Sequence, residues 1–238
     1  MKKIVVTLTA WLLLCTAHAQ KTIIADDHAV QRTVSGSFSS IKVSGSIELY
    51  LSQYDTESVA VSAPTEESRN NIKTVVENGT LNIYYDGSKI FNWKSKNLKV
   101  YVSFKNLDKL AASGASDVLV NGTIAVPALE IQCSGASNFK GVVKIDQLKL
   151  DLSGASDVKI SGTAATVGIK ASGASDVKGY DLITDNCTAH ASGASDINIT
   201  VNKEMNVHAS GASDVYFKGA AVIKDMQSSG SSTVSRKE

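Results

Sequence analysis

A carboxylate recurs along this chain at a nearly fixed interval. Asp117, Asp157, Asp176, Asp196 and Asp214 each stand four residues after the first serine of a Ser-Gly-Ala-Ser tetrapeptide, and Asn138 and Thr233 hold the same place in two further repeats. Carboxylates stacked one strand apart, or two, fall near the separations that glycosidases use for an acid and its partner. They could also ligate a hard cation such as calcium. An active site is singular, however, whereas this group returns with nearly every repeat. The column therefore reads first as architecture, an Asp closing each corner by bonding nearby backbone amides. Asp157, Asp176 and Asp196 are the candidates if a cation binds, and catalysis is the least supported of the three readings.

Three other constellations could carry chemistry. His190 and His208 lie 18 residues apart in one outward column, where two imidazoles could share a metal. Lys170 and Gln227 flank them and supply no third ligand of that kind, so they read as solvated side chains. Cys133 and Cys187 invite a disulfide in an oxidising compartment. Three coils between them would separate their backbones by roughly 14 Å, twice what a disulfide bridges, so both are expected as free core residues. The last is aromatic: Tyr84, Tyr85, Phe91, Trp93, Tyr101 and Phe104 fall within 21 residues. Asp86 to Asn97 has turn residues and no strand period, so Ile90, Phe91 and Trp93 are expected on a protruding loop suited to stacking on a saccharide or a partner surface. The competing reading folds that loop back over an irregular coil.

The elements that would position these groups follow from repetition. Ser-Gly-Ala-Ser begins at Ser113, Ser134, Ser153, Ser172, Ser192 and Ser210, and Ser-Gly-Ser-Ser at Ser229, with spacings of 21, 19, 19, 20, 18 and 19. Three residues before the first serine stand Leu110, Ile131, Leu150, Ile169, Ala189, Val207 and Met226; one before stand Ala112, Cys133, Leu152, Ala171, Ala191, Ala209 and Ser228. The position between them is mostly polar, so side chains alternate as in a strand. Five after it stand Val118, Phe139, Val158, Val177, Ile197, Val215 and Val234, which start a second strand. Small corner residues suit coils stacked roughly 4.8 Å apart. This pattern predicts an all-β parallel β-solenoid of about nine to eleven rungs of about 19 residues over 35–232. Earlier strands are expected at Ser37 to Ser46, Ile47 to Ser52, Ser58 to Ser62, Ile72 to Glu77, Thr80 to Tyr85 and Leu98 to Phe104. Residues 20–34 are expected as a lead-in and 233–238 as a tail.

Address and charge narrow the function. Lys2 and Lys3, an apolar run from Ile4 to Leu14 and Ala17-His18-Ala19 make residues 1–19 a signal peptide. The run is too short to span a bilayer, and no transmembrane helix is expected. The net charge of +1 falls to −1 without Lys2 and Lys3. A near-neutral chain argues against nucleic acid or an anionic membrane as partner, both of which need a basic footprint. No arginine lies between Arg69 and Arg236, which disfavours a polysaccharide lyase with an arginine base.

The opening SFSSIKVSGSIELYL from Ser37 to Leu51, the strand pair Val59 to Ala63 and Val75 to Tyr85, and the serial Ser-Gly-Ala-Ser-Asp-Val rungs resemble the auto-transporter adhesin head domain family, often called the GIN domain. The resemblance spans roughly residues 36 to 220. It implies an exported bacterial β-helix, right-handed, commonly from Bacteroidetes-type Gram-negative organisms, with no established activity and no catalytic residues to carry over. No membrane-barrel segment is evident. The expectation is a non-enzymatic binding or surface-structural protein of the periplasm or outer cell surface. It needs no cofactor, its partner is unknown and is a glycan or cell-surface protein in the favoured reading, and it could self-associate. The alternatives are a polysaccharide-active enzyme on the same scaffold and a periplasmic structural module without ligand.

Overall fold

The computed structural model describes residue 26, residues 28–87 and residues 97–238. The chain opens with β1 (Val30–Arg32), β2 (Ser40–Val43), β3 (Ile47–Gln53) and β4 (Ser58–Ser62), then a short helix α1 (Glu66–Asn71). Next come β5 (Ile72–Glu77), β6 (Thr80–Tyr85), β7 (Leu98–Phe104) and β8 (Lys109–Ala112). Long strands follow: β9 (Asp117–Cys133), β10 (Asn138–Leu152), β11 (Asp157–Ala171), β12 (Asp176–Ala191) and β13 (Asp196–Ala209). The chain closes with β14 (Asp214–Lys218), β15 (Val222–Ser228) and β16 (Thr233–Arg236).

From β9 to β13 each strand runs from one Ser-Gly-Ala-Ser corner to the next and pairs in parallel with its successor, so one chain winds a β-solenoid. Alternation within a coil is clear in β10: Phe139, Val143, Ile145, Leu148, Leu150 and Leu152 point inward and are buried. Asp146 and Gln147 both face out, and this breach of the two-residue period marks the bend opposite the corner. Each large aliphatic removed from water in this way contributes roughly 1.5–3 kcal/mol.

The corner is held by backbone and by one side chain. Ser153 and Ala155 donate their N–H groups to the carbonyls of Cys133 and Gly135 in the preceding coil, at 2.9 and 2.7 Å, and the same pattern repeats at every corner. Corner glycines take left-handed angles, φ +79° at Gly173, where a Cβ would lie 2.5 Å from the Gly154 carbonyl oxygen. The second serine of each corner turns inward: Ser116, Ser137, Ser156, Ser175, Ser195 and Ser213 are fully buried. Each hydroxyl donates to the carbonyl three residues back, as Ser195 does to Ser192 at 2.7 Å, so none of these six is left unpaired.

The solenoid has about seven turns, fewer than the nine to eleven expected. The shortfall lies in residues 54–108, which do not add successive coils. β6 and β7 pair in parallel with the outer sides of β2 and β3, so a later segment is laid beneath an earlier one. β5 and β4 then pair antiparallel with β6 and β7. The expected lead-in contributes β1, antiparallel to β4, and the expected tail contributes β16, parallel to β14. Val234 retains the apolar inward column below Val215, so the degenerate last repeat still forms a strand. Handedness aside, the expected architecture of parallel stacked coils is the observed one.

Candidate functional site

Strand register converts the sequence columns into physical ladders on the outer wall. Asp117, Asn138, Asp157, Asp176, Asp196, Asp214 and Thr233 pair successively, and Glu48 precedes them. The structure therefore brings Asp157, Asp176 and Asp196 together on adjacent coils. Their corners are closed by the inward serines, which leaves the carboxylates half-exposed and partnered sideways. Asn138 Nδ2 donates to Asp117 Oδ1 at 2.7 Å. Lys178 Nζ lies 3.3 Å from Asp157 Oδ1 and 3.5 Å from Asp176 Oδ2. Asp214 accepts from the Tyr216 hydroxyl at 3.1 Å and the Thr233 N–H at 3.2 Å. Asp196 is the exception: burial and the carboxylates of Asp176 and Asp214 push its pKa up, against a backbone hydrogen bond from Asp214.

The lysine partners form a ladder of their own that sequence reading missed. Two residues beyond the Asp column, Lys140, Lys159 and Lys178 pair strand to strand, with Leu119 before them and Asn198 and Tyr216 after. The signal was available, because the same alignment carried one column further shows three successive lysines beside the carboxylates. At the other end of this ladder Tyr50 and Tyr101 stack with centroids 5.0 Å apart. The Tyr50 hydroxyl donates to Glu48 Oε2 at 2.9 Å and the Tyr101 hydroxyl to Asp26 Oδ2 at 3.0 Å. Burial raises the Asp26 pKa, but hydrogen bonds from Ser62, His28 and Tyr101 and the Lys99 charge outweigh it and hold the carboxyl below its ordinary value. A hollow of about 370 Å³ opens beside this group, bounded by Asp26, Ser62, Asn97, Lys99 and Tyr101.

His190 and His208 are neighbours on adjacent coils as expected, with ring centroids 4.8 Å apart and edge to face. His208 Nε2 is 3.0 Å from Asp225 Oδ2. Burial, with the positive charges of His208 and Lys170, lowers the His190 pKa. Among the described residues no three His, Cys, Asp or Glu side chains gather as a metal site. Cys133 and Cys187 are both buried and unpaired; burial pushes their thiols up to about 11 and about 12. Ile90, Phe91 and Trp93 lie outside the described residues, between β6 and β7.

The wall opposite the corners carries a groove that no motif announced. It spans β9 to β12, encloses about 590 Å³ and has Pro127, Ile145, Ala164, Ala165 and Ile183 among its lining residues, with Asp146 and Asp185 at its rim. Small side chains at Thr163, Ala164 and Ala165 sink the floor between bulkier coils. The extra residue of the 20-residue repeat bulges β12 against β11 and leaves Ile183 51% exposed at one lip.

A parallel solenoid whose outer wall is laid out in charged ladders is the class of protein that fold and surface define. Within that class, the chain belongs to the family described as "Putative auto-transporter adhesin, head GIN domain", which matches residues 37–221. Among solved structures it is similar to a "putative adhesin" from Bacteroides fragilis, at 21% identity and a TM-score of 0.81 over 89% of this chain and 98% of that one. It is also similar to a "putative adhesin" from Parabacteroides distasonis, at 16% identity and a TM-score of 0.70 over 88% of this chain and 96% of that one. A "Putative lipid binding protein" from the same species matches at 18% identity and a TM-score of 0.65, over 88% and 96%. Likeness at these identities establishes the fold. No curated protein matches the chain. Among the described residues no helix is long and apolar enough to cross a membrane.

Proposed function

We propose that the chain is an exported, non-enzymatic binding or surface-structural protein of adhesin-head type from a Gram-negative bacterium. The observation that carries this reading is the uniform outer wall. Its carboxylates and lysines recur coil after coil at strand spacing, which suits a partner that is itself extended and repetitive, such as a surface glycan, better than a single small substrate. In this reading Ile90, Phe91 and Trp93 supply the aromatic contact. A glycan array and an envelope pull-down with residues 20–238 test it. A captured glycan or surface protein is the expected result, weakened by Trp93→Ala with unchanged melting. Capture of nothing by either screen would overturn the binding reading in favour of a structural module. The apolar floor of the groove favours a second ligand class, an acyl chain, and a lipid overlay belongs in the same screen.

A further inference from the structure

The wall that leads into the corners carries two imidazoles that neither the charged ladders nor the groove uses. Strand register sets His190 directly opposite His208 on adjacent coils, with Lys170 before them in the column and Gln227 after. His190 is exposed and His208 half-buried. Ala189, Ala191, Val207 and Ala209, buried on either side of the two histidines, lock that register. Sequence spacing shows the two side chains but not what holds them. The structure adds Asp225 from the neighbouring column of the next coil, whose Oδ2 lies 3.0 Å from His208 Nε2. An ionised carboxylate only accepts, so in the neutral ring Nε2 carries the proton and Nδ1 keeps its lone pair. Partial burial and the positive charges of His208 and Lys170 lower the His190 pKa, which favours the neutral ring there as well.

We propose that His190 and His208 together hold one late transition-metal dication, Zn²⁺ or Cu²⁺, on the outer wall. Imidazole suits these cations, whereas calcium and magnesium take oxygen ligands. The spacing agrees. With metal–nitrogen bonds of about 2.0–2.1 Å, two imidazoles that share an ion at a tetrahedral to square angle hold their ring centroids roughly 4.5–5 Å apart. The observed separation is 4.8 Å, so rotation of the rings brings both lone pairs to one point without moving either strand. Asp225 is the positioning residue. It fixes the tautomer of His208 in the carboxylate–histidine–metal arrangement that keeps such a ligand oriented and basic. Its charge also offsets the Lys170 ammonium, one coil before His190. Among the described residues no three His, Cys, Asp or Glu side chains converge, so the two nitrogens are the protein's share and water completes an open coordination shell.

Calorimetric titration of the full mature chain, free of any affinity tag, with zinc chloride tests this. One equivalent should bind with micromolar affinity, and copper(II) should bind more tightly, following the usual order for nitrogen ligands. His190→Gln and His208→Gln should each weaken zinc by about tenfold or more, with melting of the metal-free protein unchanged because both side chains reach solvent. His28→Gln, in the lead-in before β1, should leave binding intact. Asp225→Asn should weaken zinc by about tenfold, and nitrogen NMR of the metal-free protein should show His208 losing its preference for the Nε2–H tautomer, which a merely structural role would not produce. No zinc bound at millimolar concentration, or binding indifferent to His190→Gln and His208→Gln, would overturn the site. So would displacement of zinc by millimolar calcium, which would put the ion in the Asp column. Binding and tautomer both unchanged by Asp225→Asn would overturn the part given to the carboxylate.

Discussion

The corner wall and the wall opposite it belong to the same coils but obey different rules. Above Gly45, corner glycines Gly114, Gly135, Gly154, Gly173, Gly193, Gly211 and Gly230 stack one upon another, each with the preceding glycine's carbonyl too close for a side chain. Variation in repeat length, from 18 to 21 residues, is absorbed outside the corners. Register shifts fall between Lys140 and Val142, Lys159 and Gly162, Gly179 and Ile183, Thr184 and Asn186, and Met205 and Asn206, never within a corner. Where backbone packs on backbone, register is fixed; where side chains cover the surface, a bulge is tolerated.

The largest blow to this contrast should come from Gly173→Val, which meets both the left-handed backbone and the Gly154 carbonyl 2.5 Å away. We expect a loss of at least about 2 kcal/mol by thermal melting. Gly168→Ala on the opposite side, with nothing within 4 Å of the new Cβ, should be nearly neutral. Equal effects at the two sites would erase the distinction. Next, Ser195→Ala removes hydroxyl bonds to the Ser192 and Ala171 carbonyls and should cost about 1 kcal/mol. Chemical denaturation measures it, and no change would mean that the inward serines are passengers.

Smaller effects distinguish parts of the charged wall. Asp176 has Lys178 beside it, whereas Asp196 faces carboxylates and Asn198. A raised folded-state pKa favours the protonated acid, so the benefit from Asp196 is present below its unfolded value and lost as pH rises through the folded one. At pH 7 ionised Asp196 is therefore a net cost. Asp196→Asn should raise stability by a few tenths of a kcal/mol at neutral pH and by nothing near pH 3, while Asp176→Asn should not raise it. Calorimetry at both pH values separates them, and a stabilised Asp176→Asn would show that Lys178 contributes nothing. The smallest expected effect is none. Cys133 adjoins a corner and Cys187 lies in the far wall, and neither should react with iodoacetamide until denaturant is added. Modification of Cys187 alone in the native protein would show the bulged wall opening first.

What could be read from the chain divides along the same line. The corner repeat set the register of Asp117 through Thr233 without error, because an invariant small-residue turn admits one stacking. The strands Ser58–Ser62, Ile72–Glu77, Thr80–Tyr85 and Leu98–Phe104 were also legible from their alternation. Their order was not: nothing local in Thr80–Tyr85 tells that it pairs in parallel beneath Ser40–Val43 and carries Ile72–Glu77 antiparallel on its other side, so these strands read as further successive rungs. The helix was missed although Thr65 caps it, accepting the Ser68 N–H at 3.1 Å ahead of Glu66 and Glu67. The wall chemistry was half visible. Its carboxylates drew attention and the lysines answering them stood one column further along the same alignment, while the serines relieving the carboxylates of the corner role emerged only in three dimensions.

Because each corner touches only the corner before and after it, a coil is a unit of length. Excising residues 153–171 would seat Gly173 on Gly135 with the contact that Gly154 makes there now, and duplicating them would insert another such contact. The height of the molecule can thus change in steps of roughly 4.8 Å without disturbing either end. In a solenoid built this way, reach is a trait that gene duplication adjusts one rung at a time.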